Sequence, residues 1–184
     1  MIIPEVYKNE WSLFLDRDGV INKRIIDGYV QKPSQFEFIK GSLEAIKQLS
    51  SLFKYIFIIT NQQGIGKGLM TESELEIIHN HMLNQINQSD GRIDGIYFCP
   101  DLASKSPNCR KPGLFMAEAA KKDFPEIDFK KSIMVGDSLI DMEFGRNAGM
   151  QCIYIQSNSI EKIIEFDSPI FTSLLQFSKS LKTK

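Results

Sequence analysis

The sequence has few cysteines and no long run of apolar residues. Three cysteines in 184 residues are an odd and sparse set, which is not the disulfide framework of a small secreted domain. No apolar run approaches the length that crosses a bilayer, and residues 1–11 lack the basic start and apolar segment of a signal peptide. We therefore expect a cytoplasmic protein that does not bind a membrane.

An excess of charge of one sign is also missing. The chain has 22 Lys and Arg against 23 Asp and Glu, which gives a net charge of -1. This balance provides no electrostatic attraction for nucleic acid. The length fits a single domain over residues 1–184, and the lack of an obvious apolar stripe favours a monomer.

Short apolar runs alternate with amphipathic segments along the chain. Strands are predicted at residues 12–15, 55–59, 96–98, 133–135 and 151–155. Helices are predicted at 42–52, 71–87, 112–121, 138–149, 159–166 and 172–181. This alternation predicts an α/β fold, a three-layer αβα sandwich with a doubly wound, mainly parallel sheet.

Two acids follow the first strand directly. Side chains alternate along a strand, so Asp16 and Asp18 should project to one side while Arg17 points away. Two like charges so close predict a bound divalent metal or a strongly shifted pKa. The carboxyl end of a strand is also where open α/β sheets place their ligands.

Hydroxyl and amide side chains follow the second strand at Thr60, Asn61 and Gln62, where they can donate to an anion. The glycines of residues 64–68 fit neither GxxxxGK[ST] nor GxGxxG, so we interpret them as turn residues in a loop on the substrate side. In the next helix, His79 and His81 are two positions apart and face nearly opposite ways, which indicates packing or surface roles.

Two cations and two further acids are predicted at the same edge of the sheet as Asp16, Asp18 and Thr60. Arg110 and Lys111 precede Pro112, which suits the first turn of a helix whose N-terminus attracts anions. Asp137 ends the fourth strand, and Asp141 follows one helical turn later on the same face. Three carboxylates with a cationic side chain suit Mg²⁺, with a substrate phosphate completing its shell.

The ordered motifs resemble a known family. FLDRDGVIN, the strand that ends in Thr60-Asn61, Lys111 before a helix, and GDSLID resemble, in that order, the four motifs of the haloacid dehalogenase superfamily of phosphatases over about residues 12–155. More narrowly, DRDGVIN, TNQQGIGKG and CRKPG resemble the subgroup of histidinol-phosphate and heptose bisphosphate phosphatases.

The resemblance implies a role for each motif residue. Asp16 would attack phosphorus and carry an aspartyl-phosphate, and Asp18 would act first as general acid and then as general base. Mg²⁺ would bind Asp16, the main-chain carbonyl of Asp18 and Asp137, with Asp141 supporting the metal from behind. Thr60 and Lys111 would hold the phosphoryl oxygens.

The resemblance also implies the substrate-binding residues, which are Arg24, Ile25, Ile26, Asp27, Asn61, Gln62, Gln63 and Arg110. Many members insert a cap domain after the first motif or between the second and third, and neither gap is long enough here. We therefore expect an open site, walled only by the loops at 23–35 and 99–110.

One segment departs from the subgroup. Members often bind structural zinc through CxH…CxC directly before RKP. Here Cys99 and Cys109 occupy the outer positions, but Asp101 replaces the histidine and Pro107 the inner cysteine. Because a closed zinc site needs four ligands, we expect no structural zinc and a loop held by packing and hydrogen bonds.

The resemblance favours a small phosphorylated metabolite as substrate, D-glycero-D-manno-heptose 1,7-bisphosphate, from which the 7-phosphate would be removed. Histidinol phosphate or another small sugar phosphate is the alternative. A phospho-acceptor signalling module would place its aspartate on a mid-chain strand, which the early DxD argues against. An inert binding module would lack one of Asp16, Asp18, Lys111 or Asp137, and all four are present.

Overall fold

A parallel sheet of six strands runs through the part of the chain that the computed structural model describes, residues 9–156 and 168–181. The strands are β1 (Ser12–Leu15), β2 (Tyr55–Asn61), β3 (Gly95–Cys99), β4 (Ser132–Gly136), β5 (Gln151–Ile155) and β6 (Ile170–Phe171), in the order β3-β2-β1-β4-β5-β6. The helices are α1 (Ser42–Ser50), α2 (Gln63–Gly66), α3 (Glu72–Gln88), α4 (Phe115–Asp123), α5 (Leu139–Ala148) and α6 (Leu174–Ser180). The helix predicted at 159–166 lies outside the described residues.

Alternation along the strands fills a core on each face of the sheet. Leu13 and Leu15 of β1 enter the core that α1, α3 and α6 cover, whereas Phe14 enters the core that α4 and α5 cover. Helices on both faces of a parallel sheet make the three-layer, doubly wound sandwich predicted from the sequence. The connection from β1 to α1 contains a 3₁₀ turn, Pro33–Gln35, and isolated β-bridges at Asn22, so no cap domain is inserted there. Across the described residues, no helix has both the length and the apolar character that crossing a membrane requires.

Side-chain caps and a glycine define the ends of two helices. Thr71 and Glu74 form a reciprocal capping box at the start of α3, and Ser138 and Asp141 do the same for α5. Gly149 ends α5 with φ of 77°, in the left-handed region that glycine adopts at little cost. Because Ser138 is the N-cap of α5, the side chain of Asp137 is not used in capping and is available to the site.

The start of α4 differs from the prediction. The helix begins at Phe115, not at Pro112, because residues 110–113 form a turn in which the Gly113 N–H donates to the Arg110 carbonyl at 2.8 Å. The prediction that Arg110 and Lys111 come directly before a helix N-terminus is therefore wrong. A second difference is β6, a strand of two residues that the sequence pattern does not predict.

The loop after β3 corrects the interpretation of the cysteines. Cys99 and Cys109 form a disulfide, with their Cα atoms 5.5 Å apart, while Cys152 is free and buried. Asp101 adds to this closure, because its carboxylate accepts from the Cys109 N–H at 3.1 Å. The expectation that only packing and hydrogen bonds order this loop was wrong, since the chain after β3 turns back far enough to bring the two thiols together.

Candidate active site

Two glycines let the acidic side chains approach the backbone at the carboxyl edge of the sheet. A Cβ on Gly19 would lie 1.8 Å from Asp137 Oδ2, and Gly19 has φ of 101°. A Cβ on Gly136 would lie 2.1 Å from the Asp141 Cβ. Since β1 and β4 are paired neighbours, these close approaches bring the acids that follow the two strands into one cluster.

Lys111 is buried between two of these acids. Its Nζ donates to Asp16 Oδ1 at 2.7 Å and to the Ile59 carbonyl at 2.9 Å, and it lies 2.6 Å from Asp141 Oδ1. Burial alone would lower the pKa of Lys111, but the carboxylates of Asp141 and Asp16 outweigh it and raise the pKa. The ammonium group is therefore charged and fixed beside Asp16.

The carboxylates of the cluster repel one another, and two of them have raised pKa values. Burial, together with the charges of Asp141 and Asp18, raises the pKa of Asp16 to about 6 against the opposing effect of Lys111. Burial and the charge of Asp16 raise the pKa of Asp137 to about 8. Such shifts indicate negative charge that Lys111 alone does not balance.

The donor set of this cluster fits a hard divalent cation. Asp16, Asp137 and Asp141 each offer a carboxylate oxygen, and these oxygens lie within 4.8 Å of one another. The main-chain oxygen of Asp18 is close by, because Arg24 Nη2 donates both to it at 3.2 Å and to Asp137 Oδ1 at 2.6 Å. Carboxylate and carbonyl oxygens are the ligands that Mg²⁺ takes in proteins.

Asp18 is held as a carboxylate by four hydrogen bonds. It accepts two from Arg17 Nη2 at 3.0 and 2.9 Å, one from Asn22 at 2.9 Å and one from Gln62 at 3.0 Å. Burial would raise the pKa of Asp18, but the charge of Arg17 and these donors lower it. Asp16 and Asp18 both line the cavity above the sheet edge, whereas Arg17 does not. The Arg17 side chain is fully buried, and its guanidinium group reaches back to the Asp18 carboxylate.

The amides after β2 bind other parts of the site. Gln62 Nε2 donates to Thr60 Oγ1 at 2.8 Å as well as to Asp18. Asn61 braces the main chain of Lys111, accepting from its N–H at 3.0 Å. Gln63 donates to the Tyr29 hydroxyl at 3.3 Å and accepts from the Ala103 N–H at 2.6 Å. These three side chains therefore connect the loops around the site.

A cavity of about 510 Å³ opens above the acids. Of the residues implied by the resemblance, it is lined by Asp16, Asp18, Arg24, Ile25, Asp27, Thr60, Asn61, Arg110, Lys111 and Asp141. Gln62, Gln63 and Ile26 are not among the lining residues. Gln62 is buried and Ile26 is 87% exposed. Arg110 Nη1 donates to the Asp101 carbonyl at 3.2 Å, which ties the lining to the loop closed by the disulfide.

The structure adds lining residues that the sequence analysis did not single out, among them Tyr29, Lys67, Ser138 and Ile140. Lys67 Nζ lies 5.3 Å from the centre of the Tyr29 ring, within the range of a cation–π contact. The signal for Lys67 was its place among the glycines of residues 64–68, which were predicted to form a loop on the substrate side. The first part of that predicted loop is wrong, because Gln63–Gly66 form α2.

Comparison with known proteins gives a consistent set of relatives. A family model described as HAD-hydrolase-like matches residues 108–163. The D-glycero-alpha-D-manno-heptose-1,7-bisphosphate 7-phosphatase of Mycobacterium bovis is 39% identical over 146 residues, covering 79% of this chain and 77% of the relative. The D-glycero-beta-D-manno-heptose-1,7-bisphosphate 7-phosphatase of Rhodopseudomonas palustris is 35% identical over 161 residues, covering 84% and 88%.

A solved structure extends the similarity to the fold. The D,D-heptose 1,7-bisphosphate phosphatase of B. bronchiseptica, complexed with magnesium and phosphate, superposes with a TM-score of 0.83 at 27% identity, covering 92% of this chain and 96% of the other. Sequence and backbone thus agree on one group of relatives.

Proposed function

The chain belongs to the haloacid dehalogenase superfamily of phosphatases, in the subgroup of the heptose bisphosphate phosphatases, and we propose that it removes the 7-phosphate of D-glycero-D-manno-heptose 1,7-bisphosphate. The observation that carries the proposal is the buried pair of Lys111 and Asp16 beneath an open cavity. The names of the relatives support the choice of sugar.

The first step transfers the phosphoryl group to the protein. An oxygen of Asp16 attacks phosphorus in line, and the bond between phosphorus and the sugar oxygen breaks. Asp18 gives that oxygen the proton that it took from water in the second step of the preceding cycle. Lys111 Nζ and Thr60 Oγ1 donate to the phosphoryl oxygens as charge redistributes. Lys111 is suited to this because Asp141 and Asp16 hold it in place.

The second step releases phosphate. A water molecule attacks the phosphorus of the aspartyl-phosphate, Asp18 takes a proton from this water, and the bond to the Asp16 oxygen breaks. The hydrogen bonds from Arg17, Asn22 and Gln62 stabilise the carboxylate form of Asp18, which is the form that acts as a base.

Asp16, Asp137 and the main-chain oxygen of Asp18 would hold Mg²⁺, and bound Mg²⁺ would screen the charge of Asp16 from that of the phosphate. Asp141 supports this arrangement by holding Lys111 and by closing the cap of α5 with Ser138. The B. bronchiseptica structure is complexed with magnesium and phosphate, which supports the choice of Mg²⁺ as the ion.

Cations around the cavity favour a substrate with a second anionic group. Outside the cluster of Lys111, Asp16, Asp18 and Asp141, the charged lining residues are the three cations Arg24, Lys67 and Arg110 and one acid, Asp27. A sugar bisphosphate carries a second phosphate that these cations attract, whereas the amine of histidinol phosphate would be repelled. We propose that Arg24, Ile25, Ile26, Asp27 and Arg110 contact the substrate, with Asn61, Gln62 and Gln63 fixing the loops that hold them.

The proposal is tested by measuring phosphate release with Mg²⁺ from heptose 1,7-bisphosphate and from histidinol phosphate. Both anomers of the bisphosphate are assayed, and ³¹P NMR identifies the phosphate that leaves. We expect the bisphosphate to be hydrolysed with the higher kcat/KM, at position 7 only.

Asp16→Asn is the blank for this assay, because it keeps the shape of the side chain and removes the nucleophile. Loss of the 1-phosphate, or a preference for histidinol phosphate, would contradict the proposed substrate. Equal activity of Asp16→Asn and the wild type would contradict the proposed chemistry.

A further inference from the structure

A buried contact connects the middle of α3 to the proposed acid and base. Arg17 is fully buried, and its Nη1 lies 3.1 Å from Nε2 of His79, a residue 62 positions away that is itself buried. The other terminal nitrogen of Arg17 binds both oxygens of Asp18. The Arg17 side chain therefore links His79 to Asp18, because it contacts both.

The chemistry of this contact defines the protonation of His79. A guanidinium group only donates hydrogen bonds, so Nε2 of His79 accepts and carries no proton. Burial and the charge of Arg17 lower the pKa of His79 to about 3, in agreement with a neutral ring. His79 thus acts as a fixed acceptor, and Phe98 of β3 packs against its ring with centroids 6.2 Å apart.

Stability alone gives a poor account of this arrangement. Arg17 Nε has no hydrogen-bond partner within residues 9–156 and 168–181, and a buried ion pair adds little stability compared with apolar side chains of similar size. The Arg17 guanidinium group does fix the orientation of the Asp18 carboxylate, because Nη2 contacts both of its oxygens. It holds the Asp18 carboxylate from the protein side, and the Asp18 side chain, 24% exposed, presents its remaining surface to the cavity.

We infer that Arg17 is a positioning residue that aims the Asp18 carboxylate for both proton transfers, and that His79 fixes Arg17 from α3. This rests on the proposed phosphatase function but not on the choice of sugar. Removing the acceptor at residue 79 leaves Nη1 unpaired and free to turn, and Asp18 then loses its fixed orientation. Catalysis falls although no residue that touches the substrate has changed.

A pair of substrates separates positioning of Asp18 from a general defect. An alkyl phosphate needs a proton on its leaving oxygen, whereas 4-nitrophenyl phosphate releases a stable anion without one. The burst of 4-nitrophenolate therefore reports phosphorylation of Asp16 without the acid. The steady-state rate that follows reports hydrolysis of the intermediate, for which Asp18 is the base.

The variants are His79→Leu, which removes the acceptor, and His79→Gln, whose amide oxygen can accept in its place. For His79→Leu we expect kcat on the alkyl phosphate to fall about 10-fold or more with KM unchanged, and the burst rate constant with 4-nitrophenyl phosphate to change by less than about 2-fold. The steady-state rate after the burst should fall with the alkyl rate, and His79→Gln should restore both. His79→Met replaces His79→Leu if the latter does not fold.

Asn80→Leu, an exposed change at the neighbouring position of α3, is the matched control and should behave as the wild type. Equal losses in the burst and the steady state, or no recovery in His79→Gln, would show a merely structural role and overturn the inference. If the wild type hydrolyses 4-nitrophenyl phosphate but not the heptose bisphosphate, the sugar is wrong, and the ratio of burst to steady-state rates still decides the role of His79. A crystal structure of His79→Leu with Asp18 unmoved on Arg17 would also overturn it.

Discussion

Arg24 Nη2 lies 2.6 Å from Asp137 Oδ1, and the same nitrogen lies 3.2 Å from the main-chain oxygen of Asp18. One guanidinium group therefore spans two of the oxygens that we propose as ligands of Mg²⁺. A cation of the protein and the metal would compete for these oxygens. Mg²⁺ binding would also free Arg24 for the substrate, because the displaced side chain lines the same cavity.

Arg24→Met should therefore bind Mg²⁺ more tightly. The Arg24 side chain is half exposed, so we expect a modest gain of about 3- to 5-fold in affinity, the size typical of exposed ion pairs. Isothermal titration calorimetry of Mg²⁺ in the absence of substrate measures it directly. Lys23→Met is the control, since Lys23 pairs with Glu37 away from the cluster, and weaker Mg²⁺ binding by Arg24→Met would contradict the competition.

Stabilisation by Mg²⁺ should increase with pH. The raised pKa values of Asp16, about 6, and Asp137, about 8, mean that the folded protein holds these protons more tightly than the unfolded chain. The stability they contribute without metal is present below about pH 4 and is lost as pH rises through 6 and 8. Bound Mg²⁺ relieves the repulsion of the ionised acids over this same interval.

The measurement is the shift of Tm at saturating Mg²⁺, compared at about pH 5.5 and about pH 8.5. We expect the larger shift at the higher pH. Asp137→Asn should remove most of the difference, since it removes the acid with the higher pKa. A shift that is the same at both pH values in the wild type would be inconsistent with this assignment of the cluster.

Reduction of the disulfide should lower stability by a limited amount. Cys99 and Cys109 are 10 residues apart, and closing a loop of that length contributes about 2–3 kcal/mol in the chain-entropy treatment. Urea unfolding with and without reductant measures the difference, and Cys109→Ser should abolish it. Cys152→Ala should keep the response to reductant, and a wild type insensitive to reductant would refute the prediction.

The main features of the site were visible in the sequence because each depends on local order. An apolar run followed by Asp16 and Asp18, and another followed by Asp137, mark strand ends, and parallel strands bring their carboxyl ends to one edge of the sheet. The capping signals of Thr71 and Ser138 are likewise local. These features gave the layers of the fold and the positions of the acids.

The remaining features depend on contacts between distant residues. His79 and Arg17 are separated by 62 positions, and no periodicity links a helical histidine to an arginine after a strand. The disulfide depends on the return of the loop after Cys99, and β6 is only two residues long, too short for an alternating pattern. Gln62 illustrates the same limit, since its position suggested a substrate contact while its amide donates to Asp18 and Thr60.

The most direct test of the account is the detection of a phosphoryl group on Asp16. Asp18→Asn keeps the nucleophile but lacks the base that activates water, so 4-nitrophenyl phosphate with Mg²⁺ should phosphorylate this variant faster than it is hydrolysed. After an acid quench, mass spectrometry should find one phosphoryl group on the Asp18→Asn peptide that contains Asp16. The double variant Asp16→Asn, Asp18→Asn should carry none. A phosphoryl group on another residue would contradict the mechanism. So would hydrolysis of the substrate by the wild type when no variant yields a trapped phosphoryl intermediate.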